Sequence, residues 1–196
     1  MLSTTLSFAN MHNHGELFAN IFRARRESFI VKNRWDLPQT MGMEFDQYDT
    51  PQSRWLAVHD EAGQVLAGVR LTPTTARCGV YTYMIRDAQR GLLPSIPEDL
   101  LFTEAPVEAT TWEVTRGFVG ADIPADLRHR VRARLVAQMC RAAREEGIRR
   151  MLALIPSNWN RWAARCRLDM EPAGRNMEMG GIDYQAVWIH LGGQLH

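Results

Sequence analysis

The feature that most limits the fold is a strand–helix–strand succession between residues 112 and 155. Trp112–Val119 is rich in β-branched and aromatic side chains, which predicts a strand. The next segment predicts a helix that begins near Pro124 and ends before Gly147. Its apolar side chains recur at every fourth position, namely Leu127, Val131, Leu135, Met139 and Ala143. Ile148–Ile155 is apolar again and predicts a second strand.

Weaker patterns on both sides complete the expected architecture. Helical spacing predicts a helix over residues 15–33 that ends before Pro38. The other expected elements are a hairpin of Arg54–Val58 with Val65–Leu71, a short helix among loops at 73–110, a helix at Asn158–Leu168 and a strand at Tyr184–Leu191. We therefore expect one α/β domain over residues 1–196, with helices covering a central sheet.

Bulk composition excludes several classes of protein. The chain is 45% hydrophobic, and it contains no apolar run of the roughly 18–20 residues that a membrane span requires. The N-terminal residues lack the features of a secretion signal. Three scattered cysteines, Cys78, Cys140 and Cys166, favour reduced thiols over disulfides or a zinc site. We expect a cytoplasmic protein without a metal site, a membrane partner or a nucleic-acid partner.

Basic charge is concentrated in one part of the chain. Residues 126–175 contain 12 arginines against 5 acidic side chains, a net charge of +7. A basic surface of this kind can meet an acidic partner or phosphates. The alternative is that these arginines are simply solvated, and the sequence leaves both open.

Arg25 and Phe29 lie four residues apart, so they share one face of the predicted helix. Trp35 follows six residues later and can extend an aromatic wall. Such a wall can hold a cationic ligand through cation–π attraction. A solvated arginine beside a core phenylalanine explains the same spacing.

Glu44, Asp46 and Asp49 place three carboxylates within six residues. They can bind a metal ion, bind a cationic substrate or pair with buried arginines, and they can also form a solvated acidic loop. The pattern lacks the glycine and the terminal glutamate of a calcium-binding loop, which disfavours the metal. Arg70, inside an apolar strand, needs a carboxylate partner if it is buried.

Glu113 and Arg116 are the two charges in the strand Trp112–Val119. Strand alternation predicts that they project from opposite faces, unless a bulge intervenes. Glu113 would then share a face with Thr115.

Taken as an ordered set, these residues resemble the N-acyl-homoserine lactone synthases, the autoinducer synthases of bacterial quorum sensing. The matching pattern is Arg25-x3-Phe29-x5-Trp35, then Glu44-x-Asp46-x2-Asp49, then Val69-Arg70-Leu71 with Pro73-Thr74-Thr75, and finally Trp112-Glu113-x-Thr115-Arg116. Each motif is weak alone, but order and spacing agree over about 100 residues.

The resemblance implies an acyltransferase-like fold, related to the N-acetyltransferases, with a mixed central sheet. It implies two substrates, S-adenosylmethionine and an acyl thioester on acyl carrier protein or coenzyme A, and no separate cofactor. Glu113 becomes the candidate base for the attacking amine. The candidate substrate-binding residues are Arg25, Phe29, Trp35, Met43, Asp46, Arg70 and Arg116. Glu44 and Asp49 are expected in a structural ion-pair network. The arginines of the basic segment, such as Arg128, Arg130, Arg132 and Arg134, are candidates for meeting the acyl carrier.

Met151, Ala153 and Ile155 are expected to line the acyl pocket. Relatives that prefer 3-oxoacyl chains often have threonines in this strand, so its apolar side chains favour an unsubstituted or otherwise unusual acyl group over a 3-oxo chain. The main alternative function is an acetyl-CoA-dependent N-acetyltransferase. The pyrophosphate-binding loop typical of those enzymes does not match residues 117–124. A binding domain that has lost turnover is a second alternative.

Overall fold

The computed structural model describes residues 1–159, 166 and 168–191. Its strands are β1 (Leu2–Leu6), β2 (Gln39–Thr40), β3 (Met43–Glu44), β4 (Arg54–His59), β5 (Val65–Pro73), β6 (Thr111–Val119), β7 (Arg150–Pro156), β8 (Asp169–Met179) and β9 (Ile182–His190). Its α-helices are α1 (Gly15–Arg26), α2 (Met84–Gln89) and α3 (Ala125–Glu146). A π-helical segment, Glu27–Lys32, continues α1, and short 3₁₀ turns lie at Met11–Asn13 and Ser157–Trp159.

Seven strands form the main sheet in the order β1-β4-β5-β6-β7-β9-β8. β6 and β7 run parallel on either side of the α3 crossover, whereas β1 with β4, β4 with β5, β7 with β9 and β8 with β9 are antiparallel pairs. β2 and β3 form a separate two-stranded hairpin. The expected α/β class, with a mixed central sheet flanked by helices, is confirmed.

The chain divides into two compact units. Unit 1 comprises Met1–Leu71 and Arg116–Ala142, and unit 2 comprises Thr72–Thr115 and Ala143–His196. The chain therefore passes from one unit to the other inside β5, after Leu71, inside β6, after Thr115, and inside α3, after Ala142. The expectation of a single domain over residues 1–196 stays a prediction.

Each unit has its own apolar core. In unit 1, aromatic and aliphatic side chains of α1 pack on the β1–β4–β5 part of the sheet, with Ile21, Phe22 and Trp55 among the buried members. In unit 2, Ile85 of α2 packs with Leu152 of β7 and with side chains of β8 and β9.

The α3 prediction is confirmed in its extent, and Gly147 follows the helix with a positive φ of 69°. Val131, Leu135 and Met139 are buried as expected. Leu127 is the exception, because it is 40% exposed. It lies in the first turn of the helix, where it lines a cavity in unit 1.

Four strands, β1, β2, β3 and β8, were not expected from the sequence. β1 lies in a stretch to which no element was assigned, and it pairs with β4 along its whole length. β8 was also missed, since its pairing with β9 contains an irregularity between Pro172 and Asn176 that disrupts local alternation. Gly174 lies there, and a side chain at this position would overlap the backbone oxygen of Leu100. The helix expected at Asn158–Leu168 falls mostly outside the described residues.

Candidate active site

The predicted site residues of unit 1 come from four separate segments. Arg25 lies in the last turn of α1, Arg70 in β5, Arg116 in β6, and the three carboxylates in β3 and the turn after it. We call these six residues the charge network: Arg25, Glu44, Asp46, Asp49, Arg70 and Arg116. Since three positive charges face three negative ones, the formal net charge of the network is zero.

Arg25 joins two of the carboxylates. Its Nε donates to Glu44 Oε2 at 2.5 Å, and its terminal nitrogens donate to the two oxygens of Asp49 at 2.7 and 2.9 Å. The side chains of Arg25 and Glu44 are almost completely buried. A bidentate arginine–carboxylate pair of this kind fixes orientation as well as charge.

Asp46 is shared by the other two arginines. Arg70 Nη1 and Nη2 donate to its oxygens at 2.5 and 3.2 Å, and Arg116 Nη2 lies 2.8 Å from its Oδ2. Arg70 also lies 3.0 Å from Asp49, and Arg116 donates to Glu44 at 3.2 Å. Arg70 is fully buried, while Arg116 retains 11% of its side-chain surface. Arg116 is therefore the arginine of the network that is most open to a ligand.

The electrostatics follow from this pairing. Burial disfavours the charge on Arg25, but Asp49 together with Glu44 raises the pKa of the guanidinium above its ordinary value. Burial also disfavours the charge on Asp46, yet Arg70 and Arg116 outweigh it and lower the pKa of that carboxyl. The pKa of Asp49 is lowered in the same way, against its burial, by Arg70 and Arg25. All three groups are therefore held in their charged forms.

Arg116 has an unusual backbone. Its φ of 53° lies in the left-handed region, which non-glycine residues seldom adopt within a strand. This conformation breaks the alternation of β6, so the faces of Glu113 and Arg116 do not follow from counting residues. Strain of this kind clusters at functional sites.

Three residues that contact the network were not assigned to it from the sequence, namely Trp55, Tyr48 and Phe22, whose ring centre lies 5.1 Å from the Cζ atom of Arg25. Trp55 of β4 is fully buried and donates its indole N–H to Asp49 Oδ1 at 2.8 Å. The ring of Tyr48 lies against the guanidinium of Arg70, and its centre is 5.7 Å from the Cζ atom of Arg70. A buried tryptophan needs an acceptor for its N–H, which is the signal that could have indicated Trp55.

The predicted aromatic wall is present in unit 1. Phe29, in the π-helical segment, stacks on Trp35 with ring centres 5.2 Å apart and an angle of 12°. Arg116 lies 5.8 Å from the centre of the Phe29 ring. Phe118 of β6, which the sequence did not single out, meets Phe29 edge-on at 6.0 Å. A side chain on Gly68 would lie 2.9 Å from Phe118, so this ring position depends on a glycine in β5.

A cavity of about 880 Å³ lies elsewhere in unit 1, between α1, the β4–β5 turn and the start of α3. Its walls are largely apolar and include Val31, Leu66, Leu127 and Phe118. None of the predicted substrate-binding residues lines it. Phe118 connects the cavity wall to the aromatic pair.

Glu113 is fully buried within unit 2. Its two carboxylate oxygens accept hydrogen bonds from the backbone amides of Ile85, at 2.7 Å, and Met84, at 3.2 Å. These amides belong to the first turn of α2. The sequence identified Glu113 but did not indicate its donors, because backbone amides carry no residue-specific signal.

The predicted acyl-pocket residues lie on β7. Leu152 belongs to the unit 2 core and Leu154 packs against it. Alternation therefore places Met151, Ala153 and Ile155 on the opposite face. Met151 and Ala153 are buried, and Ile155 is half-buried.

The basic segment is only partly free to meet a ligand. Arg128 donates to the backbone oxygens of Ile123 and Ala121 at 2.9 and 2.7 Å, so it organises the turn before α3. Arg130 and Arg134 are exposed, and Arg130 also borders the cavity.

Comparison with known proteins settles the family. A model of the autoinducer synthases matches residues 9–190, which is most of the chain. The chain belongs to the autoinducer synthase family. It is therefore an acyltransferase.

The curated relatives of this chain are acyl-homoserine-lactone synthases. One from Aeromonas salmonicida is 27% identical over 187 residues, covering 92% of this chain and 83% of the relative. Another from Ralstonia solanacearum is 27% identical over 189 residues, covering 92% and 87%.

Solved structures support the same fold. TofI, in a ternary complex with an inhibitor and MTA, has a TM-score of 0.78 at 22% identity and covers 97% of this chain and 92% of its own. BjaI, a CoA-dependent acyl-homoserine lactone synthase with SAM and isopentyl-CoA, has a TM-score of 0.76 at 20% identity, covering 97% and 83%. An acyl-CoA N-acyltransferase from Pseudomonas aeruginosa has a TM-score of 0.58 at 16% identity, covering 95% and 97%. The expected kinship with N-acyltransferases is confirmed at the level of the fold.

Of the helices that the structure describes, none combines the length and the apolar character that crossing a membrane requires.

Proposed function

We infer that this chain is an acyl-homoserine lactone synthase, which joins an acyl group from a thioester to the amine of S-adenosylmethionine and then closes the lactone. The observation that carries this inference is the family match over residues 9–190, together with the buried carboxylate Glu113 in the strand that also holds Arg116.

The first step is acyl transfer. The substrate amine attacks the thioester carbonyl, a C–N bond forms, the C–S bond breaks, and the carrier leaves as a thiolate that takes up the proton lost by the amine. The amine must lose a proton, and Glu113, directly or through a water molecule, takes it. Two backbone amides hold the oxygens of Glu113 and thereby fix the direction in which it accepts.

The second step is ring closure. The carboxylate of the acylated methionine attacks its own γ-carbon, a C–O bond forms, and the C–S⁺ bond breaks to release neutral methylthioadenosine. This step consumes the sulfonium charge and requires no further proton transfer. It needs no cofactor besides the two substrates.

We place S-adenosylmethionine against the aromatic pair and the open side of the charge network. Trp35, which is half-buried and backed by the stacked ring of Phe29, offers a ring face to the sulfonium, and Arg116 offers a guanidinium to the substrate carboxylate. Met43, half-buried beside the network, is a candidate wall of this site. Arg25 and Arg70 are each paired with two carboxylates and are buried, so we assign them to the architecture of the site.

The donor is an acyl thioester of acyl carrier protein or coenzyme A. BjaI is CoA-dependent, and the exposed arginines of α3 suit either the acidic surface of a carrier protein or the phosphates of coenzyme A. We place the enzyme in the cytoplasm, as the sequence predicts.

One experiment tests the function and the donor together. The purified protein is incubated with S-adenosylmethionine and matched acyl-CoA and acyl-carrier-protein thioesters, and the products are identified by mass spectrometry. We expect an acyl-homoserine lactone and an equal amount of methylthioadenosine. An acetylated amine without methylthioadenosine would point to an N-acetyltransferase, and binding without turnover to a binding domain.

The same panel tests the acyl group. Because β7 presents Met151, Ala153 and Ile155 rather than hydroxyl side chains, we expect unsubstituted chains to be used in preference to 3-oxo chains. Predominantly 3-oxo products would contradict this expectation.

A further inference from the structure

The start of α2 lacks an ordinary cap. Tyr83 occupies the N-cap position and makes no side-chain capping bond. Its hydroxyl instead donates to the backbone oxygen of Pro106 at 2.6 Å. The first amides of a helix need acceptors, and Glu113 of β6 supplies them to Met84 and Ile85. The candidate base is therefore also the cap of this helix.

A second set of bonds holds the residue before the cap. Asp87, fully buried in α2, reaches back and accepts from the backbone amide of Thr82 at 2.8 Å and from its hydroxyl at 2.6 Å. Arg90 pairs with the same carboxylate at 3.1 Å. We call the bonds between Thr82 and Asp87 the clasp.

The clasp closes over the turn that presents the two amides. Thr82 lies on one side of Tyr83, and the donors Met84 and Ile85 lie on the other. Fixing Thr82 to Asp87 fixes the path of the backbone between them. The direction of both amide N–H bonds, and hence the position of the Glu113 oxygens, depends on that path.

We propose that Thr82 and Asp87 are positioning residues for Glu113, which they orient through the amides of Met84 and Ile85. This proposal rests on the proposed function, in which Glu113 takes the proton of the substrate amine. Neither residue touches the substrate in this scheme. Their effect on turnover passes entirely through the carboxylate.

The expected effect is a loss of turnover without a loss of binding. Misplacing a reacting group by about 1 Å can lower a rate by up to about 100-fold. Loosening the clasp permits a smaller shift, so we expect Thr82→Val to lower kcat on the order of 10-fold. The KM for S-adenosylmethionine should stay within about twofold, because the clasp lies outside the substrate-binding set.

The test is a double-mutant cycle on lactone formation. Kinetics are measured for the unchanged protein, Thr82→Val, Glu113→Gln and the double variant. Thr82→Ser keeps the hydroxyl and should restore kcat. Thr4→Val serves as the matched control, since the Thr4 hydroxyl bonds His59 in unit 1 and has no part in the clasp.

The proposal predicts that Thr82→Val lowers kcat when Glu113 is present and has no further effect on Glu113→Gln. An equal fold-loss in both backgrounds would overturn it, because the clasp would then only support the fold. Unchanged kcat in Thr82→Val would overturn it as well. If Thr82→Val does not fold, Asp87→Asn, which keeps one acceptor for Thr82, replaces it in the same cycle and is held to the same outcomes. Failure of the proposed function appears separately, as absence of lactone from the unchanged protein.

Discussion

The charge network of unit 1 and Glu113 of unit 2 are both buried, yet they are held in different ways. In the network, every carboxylate faces at least two arginines. Glu113 is held by the amides of Met84 and Ile85, which are dipoles rather than charges. Charge pairs neutralise one another and lock their geometry. Amides orient a carboxylate and favour its ionised form, which is the form in which a base acts.

This difference predicts which property each region controls. Breaking a buried ion pair leaves an uncompensated charge, so changes in the network should act mainly on stability. Changing Glu113 to a neutral group of similar shape should act mainly on turnover. The same substitution, glutamate to glutamine, can be made in both regions.

Glu113→Gln should have the largest effect on catalysis. Glutamine retains one oxygen for an amide N–H but cannot take the proton, so we expect kcat to fall by about 10²–10⁴. The lost hydrogen bond leaves a buried amide N–H without its acceptor and should lower the free energy of unfolding by about 1–3 kcal/mol. Steady-state kinetics and urea denaturation measure the two effects. Near-normal turnover would remove Glu113 from the mechanism.

Glu44→Gln should lower the stability of the protein more than its turnover, the reverse of Glu113→Gln. Glu44 accepts from Arg25 and Arg116, so neutralising it leaves a buried positive charge without its partner. We expect the free energy of unfolding to fall by about 3–5 kcal/mol. Urea denaturation next to Glu113→Gln makes the comparison direct. A loss below that of Glu113→Gln would show that the network is not what holds unit 1 together.

The charge network should stabilise the protein fully at neutral pH and progressively less in acid. The pKa values of Asp46 and Asp49 are lower in the folded protein than the ordinary 3.8, mainly because Arg70 opposes the effect of burial. The stability from these carboxylates is complete above the unfolded pKa and is lost as pH falls toward the folded one, progressively below about pH 5. Urea midpoints between pH 7 and pH 3 should show this decline. Asp49→Asn should be less stable at pH 7 and decline less steeply, whereas a decline parallel to that of the unchanged protein would exclude Asp49 as a cause.

Trp35→Leu should have the smallest effect. Removing one ring of the aromatic pair takes away about 0.5–2 kcal/mol of cation–π attraction. The KM for S-adenosylmethionine should therefore rise by about 2- to 30-fold, with little change in kcat. Phe102→Leu, at an exposed aromatic of unit 2, is the matched control. An unchanged KM in Trp35→Leu would place the sulfonium elsewhere.

Local patterns predicted much of the fold. The extents of α3, the β4–β5 hairpin and β6 follow from periodicity, capping residues and turn residues that lie within a few positions of one another. The ordered motif of arginines, carboxylates and aromatics also lies along the chain, and it was enough to indicate the family and to single out Glu113 as the candidate base.

What the sequence determined by itself, then, is the succession of elements and the inventory of reactive side chains. Only the tertiary structure decided which of these side chains contact one another. Arg116 reaches Glu44 across 72 positions and Glu113 finds its donors 28 and 29 positions away. The pairing of buried charges is set by the packing of distant segments, and the amides that hold Glu113 belong to every residue alike. The sequence pattern indicates neither the pairing of the buried charges nor the backbone donors of Glu113. The roles of Trp55, Thr82 and Asp87 therefore became visible only in the tertiary structure.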